Sequence, residues 1–114
     1  MSVEISIREA GAVRIVDASG RITIGESSDR VHQALRELTD QGWRNILVNL
    51  SNVVQIDSSG ISALVRNSIS ITRAGGSLRI LVGYGRVRDA LTVTRLVEAI
   101  PTFSDEATAL ASFV

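Results

Sequence analysis

Cysteine and lysine are both missing from this chain of 114 residues. Without cysteine, disulfides, thiolate nucleophiles and cysteine-based metal sites are excluded. Without lysine, Schiff-base chemistry and the phosphate-binding lysine of a Walker motif are excluded as well. All 12 basic residues are therefore arginines, and 12 acidic residues balance their charge. The chemistry left to the chain is that of hydroxyl, carboxylate and guanidinium groups and of one histidine.

Long apolar runs and basic blocks are also lacking. Because the arginines are spread along the chain, we expect no nucleic-acid surface. No apolar run approaches the roughly 20 residues that cross a bilayer, so no membrane segment is predicted. The segment 1–5 lacks the basic and apolar parts of a signal peptide, and we expect a cytoplasmic protein. The length predicts a single domain over residues 1–114.

The chain alternates predicted strands and helices. Two apolar–polar alternating runs, 3–8 and 13–18, flank a glycine-containing turn and predict a hairpin. Apolar runs at 45–54 and 78–82 predict buried strands. Helical spacing follows at 31–39, 61–72, 87–96 and 107–113, and Ser27 or Ser28 is placed to cap the first helix. The order β-β-α-β-α-β-α-(short β)-α predicts an α/β fold with a mostly parallel mixed sheet and an antiparallel hairpin at its edge.

Residues 56–60, Ile-Asp-Ser-Ser-Gly, are the most informative stretch, because they join a predicted strand to a predicted helix. Asp57 is placed to accept backbone N–H bonds as a helix cap, with the Ser58 hydroxyl beside it facing solvent. Gly60, without a side chain, is expected to let a partner approach closely. Free N–H groups and the helix dipole make such an end a good place for a phosphate. A simple cap would use the same residues, so both interpretations stay open.

The helix that follows this motif is predicted to have two faces. The inward face is expected to hold Ile61, Leu64, Val65, Ser68 and Thr72. The outward face is expected to carry Ser59, Ser62, Ala63 and Arg66. Small residues with one arginine suit close docking of another protein, although an ordinary solvated face has the same composition.

Five motifs in order give the chain a resemblance to a known family. They are Gly20-Arg21-Ile22-Thr23, Asn45 to Leu50, Asp57 to Ile61, Gly75 to Ile80, and Asp105-Glu106-Ala107. Together they resemble the STAS domain, and within it the bacterial anti-sigma-factor antagonists, over nearly the full length. The resemblance implies the STAS fold, a sheet of four to five strands with helices mainly on one face.

The resemblance also implies a function without catalysis. In such antagonists the serine after the aspartate, here Ser58, is phosphorylated by an anti-sigma factor that is also a serine kinase, and a serine phosphatase resets it. The unphosphorylated form binds the anti-sigma factor and frees the sigma factor for transcription. Asp57 would position Ser58, and the docking surface would comprise Thr23, Glu26, Ser59, Gly60, Ser62, Ala63 and Arg66. No cofactor or metal of its own is expected, because the kinase brings nucleotide and metal. Both a monomer and a homodimer fit the sequence.

Thr23 departs from the pattern of the resemblance. Many phosphorylatable antagonists carry Asp at this position, and here the nearest following acid is Glu26. Either recognition by the kinase is altered or Glu26 takes the place of the missing acid.

Two other functions remain as alternatives. One is a STAS scaffold of a stress-signalling complex or a transport system, in which Ser58 is not phosphorylated. The other is a hydrolase using Ser58 and His32, but no Gly-x-Ser-x-Gly elbow is present. A lone helical histidine is expected to be structural or solvated. Arg86 and Arg88, after a glycine-containing turn, could contact a phosphate or an acidic partner, or simply be solvated.

Overall fold

The computed structural model describes residues 3–113 as five strands and five helices. The strands are β1 (Val3–Ala10), β2 (Val13–Ile22), β3 (Asn45–Ile56), β4 (Ser77–Leu81) and β5 (Thr102–Phe103). The helices are α1 (Glu26–Asp40), α2 (Ser58–Arg73), α3 (Arg86–Val93), α4 (Leu96–Ala99) and α5 (Glu106–Ala111). The predicted order of elements is confirmed, except that the third predicted helix is broken into α3 and α4 at Arg95, whose φ is 63°.

The strands form one mixed sheet in the order β1-β2-β3-β4-β5. The hairpin β1–β2 is antiparallel, and β2, β3, β4 and β5 are parallel neighbours. The predicted α/β class, with an antiparallel hairpin on an otherwise parallel sheet, is thus confirmed.

Four helices cover one face of the sheet. The crossovers β2–α1–β3, β3–α2–β4 and β4–α3–α4–β5 all step in the same direction along the sheet. Because parallel crossovers are right-handed, their helices lie on the same side. The main core on this side includes Ile22, Leu35, Leu64, Ile80 and Leu91, all fully buried. Among the helices described in residues 3–113, only α5 packs on the other face, where Ala109 joins a smaller core with residues of β2, β3 and β4.

The first helix begins earlier than predicted. Gly25 is its N-cap, with a φ of 105°, a backbone conformation that glycine adopts readily. Ser27 and Ser28 are therefore not caps but buried residues of the first turn, and their hydroxyls donate to the carbonyls of Thr23 (2.9 Å) and Gly25 (3.2 Å).

The buried face of α2 also differs from the prediction. Its buried residues are Gly60, Ala63, Leu64, Asn67 and Ile71, whereas Thr72 is exposed. The helix packs against α1 as well as the sheet, as the hydrogen bond between Asn67 and His32 of α1 shows. The small Ala63 and the amide of Asn67 therefore lie inside, and the buried stripe is rotated toward α1.

Candidate functional site at the ends of strands β2 and β3

The candidate site lies where β2 and β3 end side by side. Ile22 and Ile56, the last residues of these strands, are paired in the sheet. The loop 23–25 follows β2, and Asp57 follows β3 as the N-cap of α2. Because parallel strands end at the same edge of a sheet, two loops far apart in sequence come together here.

Asp57 joins these two loops. Its Oδ1 accepts hydrogen bonds from the N–H groups of Ser59 (2.9 Å) and Gly60 (3.3 Å), as predicted for a helix cap. Its Oδ2 accepts from the N–H of Ile24 at 2.8 Å. Its own N–H donates to the carbonyl of Ile22 at 3.1 Å. One side chain therefore fixes both the start of α2 and the loop after β2.

Ser58 is the first residue of α2 and is exposed. Within residues 3–113 its hydroxyl makes no hydrogen bond, so the oxygen is free to react or to bind. The first turn of α2 carries no acidic residue after the cap, so the Asp57 carboxylate is the acidic group of this helix that faces the positive end of its dipole. This end of the helix can accommodate a negative charge on Ser58.

A polar depression lies on one side of Ser58. Its lining includes Ser59, Ser62 and Arg66 on α2 and Gly25 and Asp29 at the start of α1. Ser62 and Arg66 are exposed and Ser59 is half-buried, so the structure brings these three predicted docking residues together beside Ser58. Glu26 is exposed at the start of α1, whereas the half-buried Thr23 is bound through its N–H to the Ser27 hydroxyl at 2.8 Å.

Two predicted docking residues, Gly60 and Ala63, are buried. A Cβ on Gly60 would lie 2.7 Å from side-chain carbons of both Ile22 and Ile56. Gly60 therefore serves close packing of α2 on the ends of β2 and β3, and the prediction that it admits a partner is wrong. The prediction that Ala63 faces outward is also wrong, because Ala63 is fully buried on the side of α2 that faces α1 and the sheet.

An apolar depression lies on the other side of Ser58. Its lining comprises Ile56, Asp57, Ser58, Ile61, Asp89, Ala90, Val93 and Thr94. Val93 is 81% exposed, and Ile24, which lines the polar depression, is also 81% exposed. Sequence reasoning missed both residues. The available signal was that Val93 lies out of phase with the buried Val87 and Leu91.

The family model described as STAS domain matches residues 4–109 of this chain. The chain belongs to the STAS domain family. No curated protein matches the chain by sequence.

Solved structures agree with this STAS domain in fold. An anti-sigma factor antagonist from Mycobacterium paratuberculosis is similar with a TM-score of 0.87 at 18% identity, over 98% of this chain and 94% of that chain. The phosphorylated form of SpoIIAA, a Bacillus cell fate determinant, is similar with a TM-score of 0.72 at 14% identity, over 96% and 98%. A sulfate transporter family protein from Wolinella succinogenes is similar with a TM-score of 0.72 at 23% identity, over 90% and 85%. These identities show a shared fold, and the fold is common to antagonists and to a transporter family protein.

His32 does not belong to the Ser58 site of this STAS domain. It lines neither depression, and its Nδ1 accepts a hydrogen bond from Asn67 Nδ2 at 2.8 Å. The same Asn67 amide donates to the carbonyl of Ala63 at 2.8 Å. Burial, followed by the charges of Arg66 and Arg36, lowers the pKa of His32. The histidine is therefore held neutral as a link between α1 and α2, which confirms the structural expectation.

The arginines after β4 also lie outside the Ser58 site. Arg88 stacks on Tyr84 with 4.8 Å between the guanidinium carbon and the ring centroid, and donates to the carbonyl of Val82 at 3.2 Å. Arg86 is exposed. No group of three metal-ligating side chains occurs within residues 3–113. No helix in that same part of the STAS domain has the length and apolar character to cross a membrane.

Proposed function

We propose that this STAS domain is an anti-sigma-factor antagonist whose binding to an anti-sigma factor is switched off by phosphorylation of Ser58. The observation that carries the proposal is the position of Ser58. Its exposed, unbonded hydroxyl stands at the N-terminus of a helix, between a polar and an apolar depression. Antagonists with this fold among the solved structures support it, and one of them, the anti-sigma factor antagonist SpoIIAA, is also known in a phosphorylated form.

The modification is a phosphoryl transfer in which the STAS domain is the substrate. The Ser58 oxygen attacks the γ-phosphorus of ATP held by the anti-sigma factor, which is itself a serine kinase. A new O–P bond forms, the bond from the γ-phosphorus to the bridging oxygen of ADP breaks, and the kinase takes the hydroxyl proton. The antagonist is therefore not an enzyme, and it needs only an accessible hydroxyl. A serine phosphatase hydrolyses the phosphoserine and resets the switch.

Phosphorylation acts on the partner surface and leaves the fold intact. A phosphate adds about −1.5 to −2 charge at pH 7. The N-terminus of α2 accommodates this charge, although Asp57 opposes it by like-charge repulsion. The partner, by contrast, must bury the apolar side chains of Val93 and Ile24 beside the same oxygen. A dianion between them would have to lose its hydration, which disfavours docking.

The proposed docking surface consists of Ser59, Ser62, Arg66 and Glu26 on the polar side and of Ile24, Ile61 and Val93 as apolar contacts. Glu26 and Asp29, both exposed at the start of α1, are acids available in place of the one missing at position 23, and Asp29 lines the polar depression. We propose the cytoplasm as the location, since the partner system acts on transcription.

A second candidate is a STAS scaffold in which Ser58 is not phosphorylated. The structural similarity to a sulfate transporter family protein favours it, as does the absence of an acid at Thr23. In this case Asp57 would serve only to cap α2 and to hold the loop after β2, and it would have no role in positioning a phosphorylated serine.

A titration of the cognate kinase with serine variants tests the proposal. Ser58→Ala is expected to bind like the wild type, whereas Ser58→Asp is expected to lose most of the affinity. Ser104→Asp is a control with the same charge change at an exposed position before α5. Circular dichroism establishes that all variants are folded. Equal affinity of Ser58→Asp and wild type would overturn the switch and favour the scaffold.

A further inference from the structure

The strand β1 is an open edge of the sheet. Within residues 3–113 it is the first strand in the sheet order and pairs on one side only, with β2. Its eight residues keep an unbroken register with β2, from Val3 opposite Gly20 to Ala10 opposite Val13. Natural edges are often blunted by proline, a bulge, shortness or charged side chains. β1 has eight residues with no proline and no bulge, and its charged residues are Glu4, Arg8 and Glu9.

The hairpin turn defines which backbone groups of β1 face outward. Ala10 and Val13 close a two-residue turn, so this pair exchanges hydrogen bonds. Because bonded and non-bonded pairs alternate in an antiparallel ladder, Ser6 and Arg8 bond to β2, while the N–H and C=O groups of Ile5 and Ile7 point outward. The Val3 carbonyl, outward by the same alternation, accepts a bond from Arg30 Nη1 at 2.5 Å.

The side chains of β1 differ between its two faces. Ile5 and Ile7 lie on the side of α1, in a groove whose lining also includes the apolar Ala34, Leu38 and Trp43 and the polar Arg14, Glu37 and Gln41. Ile7 is 45% exposed there. Glu4 and Arg8 lie on the opposite face, where Arg8 bonds Asp17 (3.0 Å). One face of the edge strand therefore presents Ile5 and Ile7. The other face presents the oppositely charged Glu4 and Arg8, which lie two residues before and two residues after Ser6.

We propose that β1 pairs antiparallel with β1 of a second copy of this chain, with Ser6 opposite Ser6. In this register Glu4 of each copy faces Arg8 of the other, and Ile5 faces Ile7. Each Ile5–Ile7 pair exchanges two backbone hydrogen bonds, because their outward groups meet. In the two neighbouring two-fold registers, Ile5 lies opposite Ile5 or Ile7 lies opposite Ile7. Glu4 then lies opposite Ser6 or opposite Ala10, so no opposite charges meet across the interface. The sequence of the strand is thus complementary to itself, as a two-fold interface requires.

The environment of Arg8 has room for this contact. Four of its five N–H donors are used by Asp17 and Glu106 within the chain. One Nη1 hydrogen remains for Glu4 of the second copy. No residue of β1 lines the depressions beside Ser58, so both copies keep that hydroxyl accessible. The dimer is therefore independent of the proposed function of Ser58.

A cysteine introduced at Ser6 tests the register directly, because the chain has no other cysteine. Across a non-hydrogen-bonded pair the two Cα atoms lie about 4.5 Å apart, within the range of a disulfide. Under mild oxidation, Ser6→Cys is expected to form a covalent dimer at least about tenfold faster than Glu4→Cys. In the proposed register the two residues at position 4 are about 13 Å apart along the strand. Equal rates, or no covalent dimer from Ser6→Cys, would overturn the pairing.

Analytical ultracentrifugation of the protein without any introduced cysteine measures the monomer–dimer equilibrium and supplies an independent test. The wild type is expected to show a monomer–dimer equilibrium, and Glu4→Arg is expected to weaken it by roughly tenfold through like charges opposite Arg8. Ile7→Lys is expected to abolish it, because a charge would replace an apolar contact. Glu98→Arg makes the same charge change at an exposed site on α4 and is expected to change nothing. A wild type that stays monomeric at millimolar concentration would refute the proposal.

Discussion

The Oδ2 atom of Asp57 accepts a hydrogen bond from the backbone N–H of Ile24, which lies 2.8 Å away and 33 residues earlier in the chain. The other oxygen of the same carboxylate caps α2. The loop after β2 and the first turn of α2 are therefore held together by one residue. Ser58 stands next to it, so its position depends on both loops.

Substitution of Asp57 tests the roles of its two carboxylate oxygens, one of which caps α2 while the other binds the loop after β2. Asp57→Ala removes the cap and leaves the N–H of Ile24 without its acceptor, at an expected cost of about 1–3 kcal/mol in the free energy of unfolding. Asp57→Asn keeps one oxygen for the cap and is expected to cost less. Urea unfolding of the two variants measures the difference. An Ala variant as stable as the wild type would show that the carboxylate does not hold the site together.

Substitution of Gly60 tests its role in packing. Gly60→Ala brings a Cβ within 2.7 Å of Ile22 and Ile56, and this overpacking is expected to cost about 1–3 kcal/mol in the free energy of unfolding. Gly83→Ala is a matched control, because its Cβ would meet nothing within 4 Å. Thermal unfolding of both proteins measures the effect. If Gly60→Ala were as stable as Gly83→Ala, the glycine would not be required for packing.

Much of the fold and the centre of the site were predictable from the sequence. The alternating runs around Gly11 and the apolar run into Ile56 predicted the strands, and Asp57 was predicted as a cap because its position and residue type agree. The role of Gly60 was not predictable, since a glycine at a strand–helix junction can allow either a partner protein or another segment of its own chain to pack closely against it. Ala63 was misplaced because helical periodicity does not say which neighbour a small residue faces.

The exposed apolar residues beside Ser58 were missed for a different reason. Ile24 follows β2 and Val93 ends α3, and an apolar residue in either position is normally read as part of the core. For Val93 the helical phase relative to Val87 and Leu91 was an available signal of exposure, whereas only the packing shows that Ile24 is exposed. A surface apolar residue in a loop, such as Ile24, needs the tertiary structure to be recognised.

The pKa of His32 predicts a loss of stability between neutral and mildly acidic pH. Its pKa in the folded state is lowered, chiefly by burial, below the ordinary value of about 6.5. The unfolded chain therefore binds the proton more readily than the folded protein does. The contribution of His32 to the free energy of unfolding is fully present above about pH 6.5 and is lost as the pH falls through the pKa of the folded state. We expect the wild type to lose more stability from pH 7.5 to pH 5.5 than His32→Gln does. Parallel pH profiles from urea unfolding would contradict this role of the histidine.

A charged residue in place of Val93 tests whether the apolar side chains beside Ser58 contact the kinase. Val93→Asp is expected to weaken binding of the unphosphorylated protein to its kinase by tenfold or more, because the partner would have to bury a carboxylate. Ala107→Asp introduces the same side chain at an exposed position in the first turn of α5, on the other face of the sheet. This control is expected to bind normally. Calorimetric titration compares the two, and equal affinities would remove Val93 from the docking surface.

Mass spectrometry after incubation with the cognate serine kinase and Mg²⁺–ATP shows whether Ser58 is phosphorylated. We expect one added phosphate, located on Ser58, that is lost in Ser58→Ala and retained in Ser104→Ala, a control at an exposed position outside the docking surface. An unmodified wild type, or a phosphate that persists in Ser58→Ala, would contradict the proposed phosphorylation of Ser58.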